Sequence, residues 1–319
     1  MKALQLKNIS ELHRKDMPVP EPADGEILLR VTHCAVCRTD AKMWKQGQRD
    51  LRLPRILGHE ICAVSPESGE RFAVWPGTSC GHCVFCKKGA ENLCREMKIL
   101  GFHLDGGFAE YVCAPRKSLI PVPDDLPGEL ICLAEPLACT LNALEQCGLQ
   151  KNQRVLIFGA GPLGLMTGMS VRYFGGFPCI REINPARVEQ TAQFRKQMDT
   201  ALHEGEEDAD IVINAAPSSD IFTQGIPLLR PGGSFCLFSG FTDDKMIPAA
   251  LLNQIHYRQL SVCGAYGCTK KQMETALHIL RAYQKEASLL IEKQISLGEV
   301  QEILPQILKG QVMKCIIKN

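Results

Sequence analysis

No stretch of this 319-residue chain reaches 18 consecutive apolar residues, which excludes a transmembrane helix. The first residues, MKALQLKNIS, alternate Leu with polar side chains and lack an apolar segment. No secretory signal is therefore expected, and the cytoplasm is the expected compartment. Neither sign of charge prevails: 36 Lys and Arg face 35 Asp and Glu, for a formal net charge of +1. The chain thus lacks the basic footprint that nucleic acid as a main partner, or a membrane surface, would require. Internal repeats, low-complexity tracts and long charge runs are missing too. Hydrophobic residues at 45% and charged residues at 22% are ordinary for a globular protein and exclude wholesale disorder.

Cysteine is plentiful by contrast. The chain has 16, about 5% of its residues, which stays below the ~8–10% of disulfide scaffolds. In a reducing compartment, clustered cysteines read as metal ligands or catalytic groups. Length predicts two domains, because single cores rarely grow past ~250–300 residues. The residue grammar predicts where they meet. Up to about residue 115, short β-type runs such as EILLRVT (26–32) alternate with Pro and Gly clusters, as in a barrel or sandwich. Beyond Pro127, apolar strands alternate with helical stretches: a helix over 130–147, then RVLIFG (154–159), PCIREI (178–183), ADIVINAA (209–216), GSFCLFSG (233–240) and LSVCGAYG (260–267). That alternation predicts βαβ units and a parallel sheet. Two helices (270–284 and 298–309) and a final strand, VMKCIIK (312–318), close the chain.

Gly159-Ala160-Gly161-Pro162-Leu163-Gly164 fits G-x-G-x-x-G, follows an apolar strand and opens a helix. Gly159 permits a tight turn, Gly161 lets a pyrophosphate approach the backbone, and Gly164 allows close packing of helix on strand. The freed N–H groups of this turn, Pro162 and Leu163 forming the first helical turn, face the phosphates. An acidic residue ending the next strand binds the ribose 2′-hydroxyl in such folds. Glu182 occupies that place, which favours NAD over NADP; Arg181 and Arg187 flank it.

Cys80, Cys83, Cys86 and Cys94 give C-x2-C-x2-C-x7-C. Four thiolates in so short a segment close a tetrahedron around Zn²⁺ and leave no open position, so the metal is expected to be structural. An iron–sulfur cluster is the other reading of the same softness. Cys37, in CAVCRTD (34–40), and His59-Glu60, in LGHE (57–60), suggest a second metal site only in combination.

Together with DGGFAEYV (105–112), AEPLAC (134–139), LRPGG (229–233) and GQVMKCII (310–317), these motifs resemble the zinc-containing medium-chain dehydrogenase/reductase family. The chain is most similar to its sorbitol and threonine dehydrogenase branch. The resemblance implies a GroES-like β-barrel catalytic domain (1–124, with the zinc lobe at about 76–97), a doubly wound Rossmann parallel-sheet domain (125–268), and a tail (269–319) that returns to the barrel. It implies two zinc ions per chain and NAD, with a homodimer or homotetramer formed through sheet edges. Cys37 and His59 would ligate the catalytic zinc, with Glu60 as a third or alternating ligand. Glu135 corresponds to a further acidic residue beside the metal. Thr39 corresponds to the hydroxyl that passes the proton, and Arg38 to a basic residue on the pyrophosphate. Trp44 and Phe102 stand where a substrate mouth or rim packing would be.

The implied reaction moves a hydride between an alcohol or polyol and its carbonyl partner, with zinc as Lewis acid. The alternatives are an NADPH-dependent carbonyl reductase and a zinc-stapled dinucleotide binder with a vestigial site. Lys42 replaces the family's relay His, Ala63 replaces a Gly, and the short 198–209 segment predicts a trimmed strand–helix pair. Eleven further cysteines, Cys147, Cys236 and Cys263 among them, read as buried small residues.

Overall fold

In the computed structural model the described residues are 1–205 and 208–319. They form two compact units, Met1–Glu135 with Cys268–Asn319, and Pro136–Gly267.

The spine of the first unit is the strand Glu26–Val36, whose sequence EILLRVTHCAV is rich in β-branched and apolar residues. It pairs antiparallel with Glu60–Val64, with Tyr111–Pro115 and with Lys314–Lys318. The seven-stranded sheet runs Leu119–Pro121, Arg71–Val74, Glu60–Val64, Glu26–Val36, Lys314–Lys318, Ile291–Ile295, with Tyr111–Pro115 also on the spine. A three-stranded sheet (Glu11–Asp16, Lys2–Asn8, Arg55–Ile56) contributes to the same core. Leu29, Val31, Ile61, Phe108, Leu304 and Ile317 meet there with no residue above 1% exposure. Each such side chain contributes ~1.5–3 kcal/mol by leaving water. The C-terminal strand is thus an interior strand of the first unit, flanked on both sides.

The helix expected over 130–147 is two helices, Gly128–Ile131 and Ala134–Gln146. Pro136 explains the restart. It has no N–H to donate and is tolerated only in the first turn, where none is needed. Helices follow in the tail at Lys270–Ala282, begun by a Thr269/Gln272 capping box, and at Val300–Leu308.

The second unit holds a six-stranded sheet in the order Ala201–Leu202, Phe177–Arg181, Arg154–Phe158, Ala209–Asn214, Leu229–Leu237, Ser261–Gly264. Every pair is parallel. Counted along the chain this order is 3-2-1-4-5-6, the doubly wound arrangement. The sheet keeps the strand that the short 198–209 segment put in doubt, cut to two residues.

Candidate active site and metal centres

The spine strand ends at Val36, and Cys37 caps the helix Arg38–Gln46 that follows. Thr39 N–H donates to Cys37 Sγ (3.4 Å), and Cys37 N–H donates to Asp40 Oδ2 (2.9 Å). Asp40 is fully buried and also accepts from Gly58 N (3.2 Å). Its Oδ1 lies 3.3 Å from His59 Nδ1. One carboxylate therefore joins the Cys37 helix to the turn that carries His59. Burial lowers the pKa of His59, but the charge and hydrogen bond of Asp40, with Cys37 beside it, outweigh burial and hold it well above the usual value. Phe102 meets the ring edge-on at 5.1 Å between centroids. Phe102 is buried and Trp44 packs on the barrel core, so both serve packing here.

Glycine geometry holds the turn. Gly58 has φ +92°, and a Cβ there would stand 2.5 Å from the Phe108 ring. A Cβ at Gly106 would stand 2.1 Å from Gly58 O. The close approach lets Gly106, Gly107 and Phe108 donate to Ile56, Gly58 and Leu57 carbonyls at 2.8, 2.8 and 2.9 Å. The DGGF stretch is thus a backbone clamp on the segment leading into His59.

Glu60 starts its strand opposite Ala35, and Cys315 of the tail pairs with Val36 on the other side of the spine. That register brings Lys314 against Glu60 across the strand end. Lys314 Nζ donates to Glu60 Oε1 at 2.6 Å and also contacts Oε2. Glu60 is 0% exposed and Lys314 5%. Burial lowers the pKa of Lys314, but the charges of Glu60, Cys37 and Glu135 and the hydrogen bond to Glu60 together outweigh burial, so the ammonium is retained. The donor atoms of Cys37, His59 and Glu60 all lie within 4.8 Å of one another. Glu135 is not in that group; its carboxylate lies within 4.8 Å of Cys268 Sγ, and its charge adds to the pull on Lys314. Arg38 is exposed and donates to Leu308 O at 3.3 Å.

Cys80, Cys83, Cys86 and Cys94 converge on a lobe whose base is the ribbon Gly77–Thr78 with Lys98–Ile99. Cys80 and Cys86 Sγ are 3.9 Å apart, and Cys83 and Cys86 3.5 Å. A tetrahedral zinc with Zn–S bonds of ~2.3 Å has sulfur–sulfur edges of ~3.8 Å, so the four thiols fit it. Hydrogen bonding from backbone N–H, that of Cys86 foremost, brings the Cys83 thiol down to about 7. Cys80 N–H donates to Cys94 Sγ. The Cys80 thiol is likewise lowered by backbone hydrogen bonds, whereas burial and the neighbouring Cys83 push Cys86 up to about 11.

In the second unit, Gly159 has φ +109° and its N–H donates to Arg181 O (2.9 Å). A Cβ on Gly164 would fall 1.9 Å from Gly159 O, whereas one on Gly161 would meet nothing within 4 Å. The first fact explains helix–strand packing; the second leaves an open face above the turn. Gly161 caps the helix Pro162–Tyr173, with Pro162 and Leu163 in its first turn. Glu182 reaches that turn. Its Oε2 accepts from Ala160 N (2.8 Å), and Oε1 accepts from Ile183 and Asn184 N (2.9 Å each). The Arg181 guanidinium stands 5.6 Å from the Phe158 ring centre and donates to Gly205 O. Arg187 is buried at 8% exposure in the next helix.

Sequence reasoning missed Asp40 and Lys314 as parts of the site. Asp40 had a local signal, a carboxylate three residues after a helix-capping Cys, which is the capping-box spacing.

Residues 23–124 match the family described as the alcohol dehydrogenase GroES-like domain. An uncharacterized zinc-type alcohol dehydrogenase-like protein of Haemophilus influenzae is 29% identical over 322 residues, spanning 94% of this chain and 93% of that protein. D-altritol 5-dehydrogenase of Agrobacterium fabrum is 29% identical over 318 residues, 94% of each chain. Among solved structures, a chain described as a zinc-binding dehydrogenase, from Sinorhizobium meliloti 1021 and bound to NADP, superposes with a TM-score of 0.87 at 25% identity. That match covers 100% of this chain and 99% of the other. No helix among the described residues is long and apolar enough to cross a membrane.

Proposed function

We propose, because this chain belongs to the zinc-containing medium-chain dehydrogenase/reductase family, that it moves a hydride between an alcohol or polyol and NAD. The observation that carries the reading is the convergence of Cys37, from the end of the spine strand, with His59 and Glu60, from the turn into Glu60–Val64, within 4.8 Å. A thiolate, an imidazole and a carboxylate are a donor set that suits zinc. Cys37 and His59 would hold the metal, and Asp40 beside Nδ1 orients the ring so that Nε2 is the nitrogen left to ligate. Glu60 is the third or alternating donor, and Lys314 balances its charge when it is drawn back. Glu135 supplies a further negative charge felt at Lys314. When bound, a zinc with an open position acidifies an alcohol and polarises a carbonyl. Thr39, half-buried beside Cys37, is the hydroxyl that takes the proton onward. Cys80, Cys83, Cys86 and Cys94 hold a second, structural zinc. In the other unit, the Gly159–Gly164 turn, including Gly161, Pro162 and Leu163, receives the pyrophosphate, with Arg187 in the helix beyond. Glu182 takes the ribose hydroxyls, and its charge, with Arg181 occupied by Phe158 and Gly205, favours NAD. The enzyme works in the cytoplasm as a homo-oligomer, with the edge strand Ser261–Gly264 as the pairing edge.

The test is a panel of alcohols and polyols with NAD and with NADP, alongside zinc counted per chain by elemental mass spectrometry. The expected result is two zinc ions per chain, NAD-linked turnover, and loss of turnover in Cys37→Ala with the fold intact. Full activity of Cys37→Ala would overturn the zinc role. A clear preference for NADPH would favour the carbonyl reductase alternative.

A further inference from the structure

Three cysteines outside both zinc sites converge in the second unit. Cys147 directly follows the helix Ala134–Gln146, Cys236 lies in Leu229–Leu237, and Cys263 lies in the edge strand Ser261–Gly264. The parallel register sets Cys236 beside Cys263, so their side chains leave the same face of the sheet. The helix end brings Cys147 to them. All three Sγ atoms lie within 4.8 Å of one another, and those of Cys147 and Cys263 are 3.6 Å apart. The four-cysteine lobe shows the same spacing, 3.5 and 3.9 Å. A disulfide is far shorter, at about 2.05 Å. Cys236 is fully buried, while Cys147 and Cys263 are half-buried, which leaves a way in for an ion.

No imidazole or carboxylate joins the group among the described residues. Three sulfur donors without a fourth suit a soft monovalent cation better than zinc, whose structural sites take four ligands. With metal–sulfur bonds of ~2.3 Å, a three-coordinate ion has sulfur–sulfur edges of ~4.0 Å, which this cluster reaches with small side-chain shifts. We propose that Cys147, Cys236 and Cys263 form a third metal site, a three-sulfur site that binds one Cu(I) ion. Each thiol that becomes a ligand releases its proton to water, and no electron is transferred.

The zinc-loaded protein is titrated anaerobically with Cu(I) delivered from a chromophoric chelator, then desalted, and copper and zinc are counted per chain. The expected result is one copper per chain with the zinc content unchanged. Cys147→Ser and Cys236→Ser lose that copper and keep their zinc, with circular dichroism matching the parent. Cys147 is half-buried, so its Ser variant decides the matter should Cys236→Ser fail to fold. Copper entering only as zinc leaves would overturn the proposal. So would a Ser variant that retains the extra copper, a third zinc taken in place of copper, or a loss of two hydrogens by mass showing a disulfide in the anaerobic protein.

Discussion

Lys314→Met removes the cation and leaves Glu60 as a carboxylate at 0% exposure with its partner gone. Removing one member of a buried ion pair costs about 3–5 kcal/mol, because the remaining charge is desolvated and unpaired. For a unit of this size each kcal/mol is worth about 2–4 °C, so the melting temperature falls by roughly 6–20 °C. Differential scanning calorimetry measures it on protein whose Cys37–His59–Glu60 site is metal-free, since a zinc there would itself pair Glu60. Adding Glu60→Gln removes the stranded charge, and the double variant recovers more than half of the loss. A change of less than about 2 °C at pH 8 in the single variant, or a double variant no better than the single, would refute the reasoning.

Other substitutions test separate parts of the architecture. Gly106→Ala places a Cβ 2.1 Å from Gly58 O, and the backbone displacement costs ~1–3 kcal/mol or more, read as a lower denaturant midpoint and reduced activity together. Gly164→Ala meets Gly159 O at 1.9 Å and should disrupt the turn, raising the KM for NAD; near-parental KM and stability would contradict the packing role. Glu182→Ala removes an acceptor from Ala160 N and the proposed ribose contact, so the KM for NAD rises while that for the alcohol stays within a factor of ~3. Cys83→Ser lowers zinc from two per chain to one and destabilises the lobe; an unchanged zinc count would remove Cys83 from the ligand set.

The parts of the molecule legible in the sequence are those whose physics is local. C-x2-C-x2-C-x7-C folds onto itself within one lobe, and G-x-G-x-x-G works within one strand–turn–helix. The alternation of apolar runs with helical stretches gave the parallel sheet, and its doubly wound order came with the family resemblance. Lys314 was legible only as part of a motif, because its partner Glu60 lies 254 residues away and the two meet through strand register on either side of Glu26–Val36. Cys147, Cys236 and Cys263 looked like isolated small core residues, since their spacing in the chain follows no ligand pattern. Only the sheet register and a helix end make them neighbours. Glu135, which the motif sets beside the metal, has its carboxylate within 4.8 Å of Cys268 Sγ and its charge felt at Lys314, neighbours that no local spacing announces.

The interior position of Lys314–Lys318 has a consequence for how the protein is made. Translation proceeds at about 5–20 residues per second, so the ribosome needs ~10–40 s between Glu135 and Lys318. Through that interval the spine strand lacks one neighbour and Glu60 lacks its cation, while the sheet of the unit Pro136–Gly267 has all its strands as soon as Gly264 is made. The barrel is therefore the last part to be sealed. A chain interrupted between residues 268 and 313 carries every strand of the second unit beside a first unit whose spine strand has an open edge, and an unpaired strand edge is a template for association with other chains.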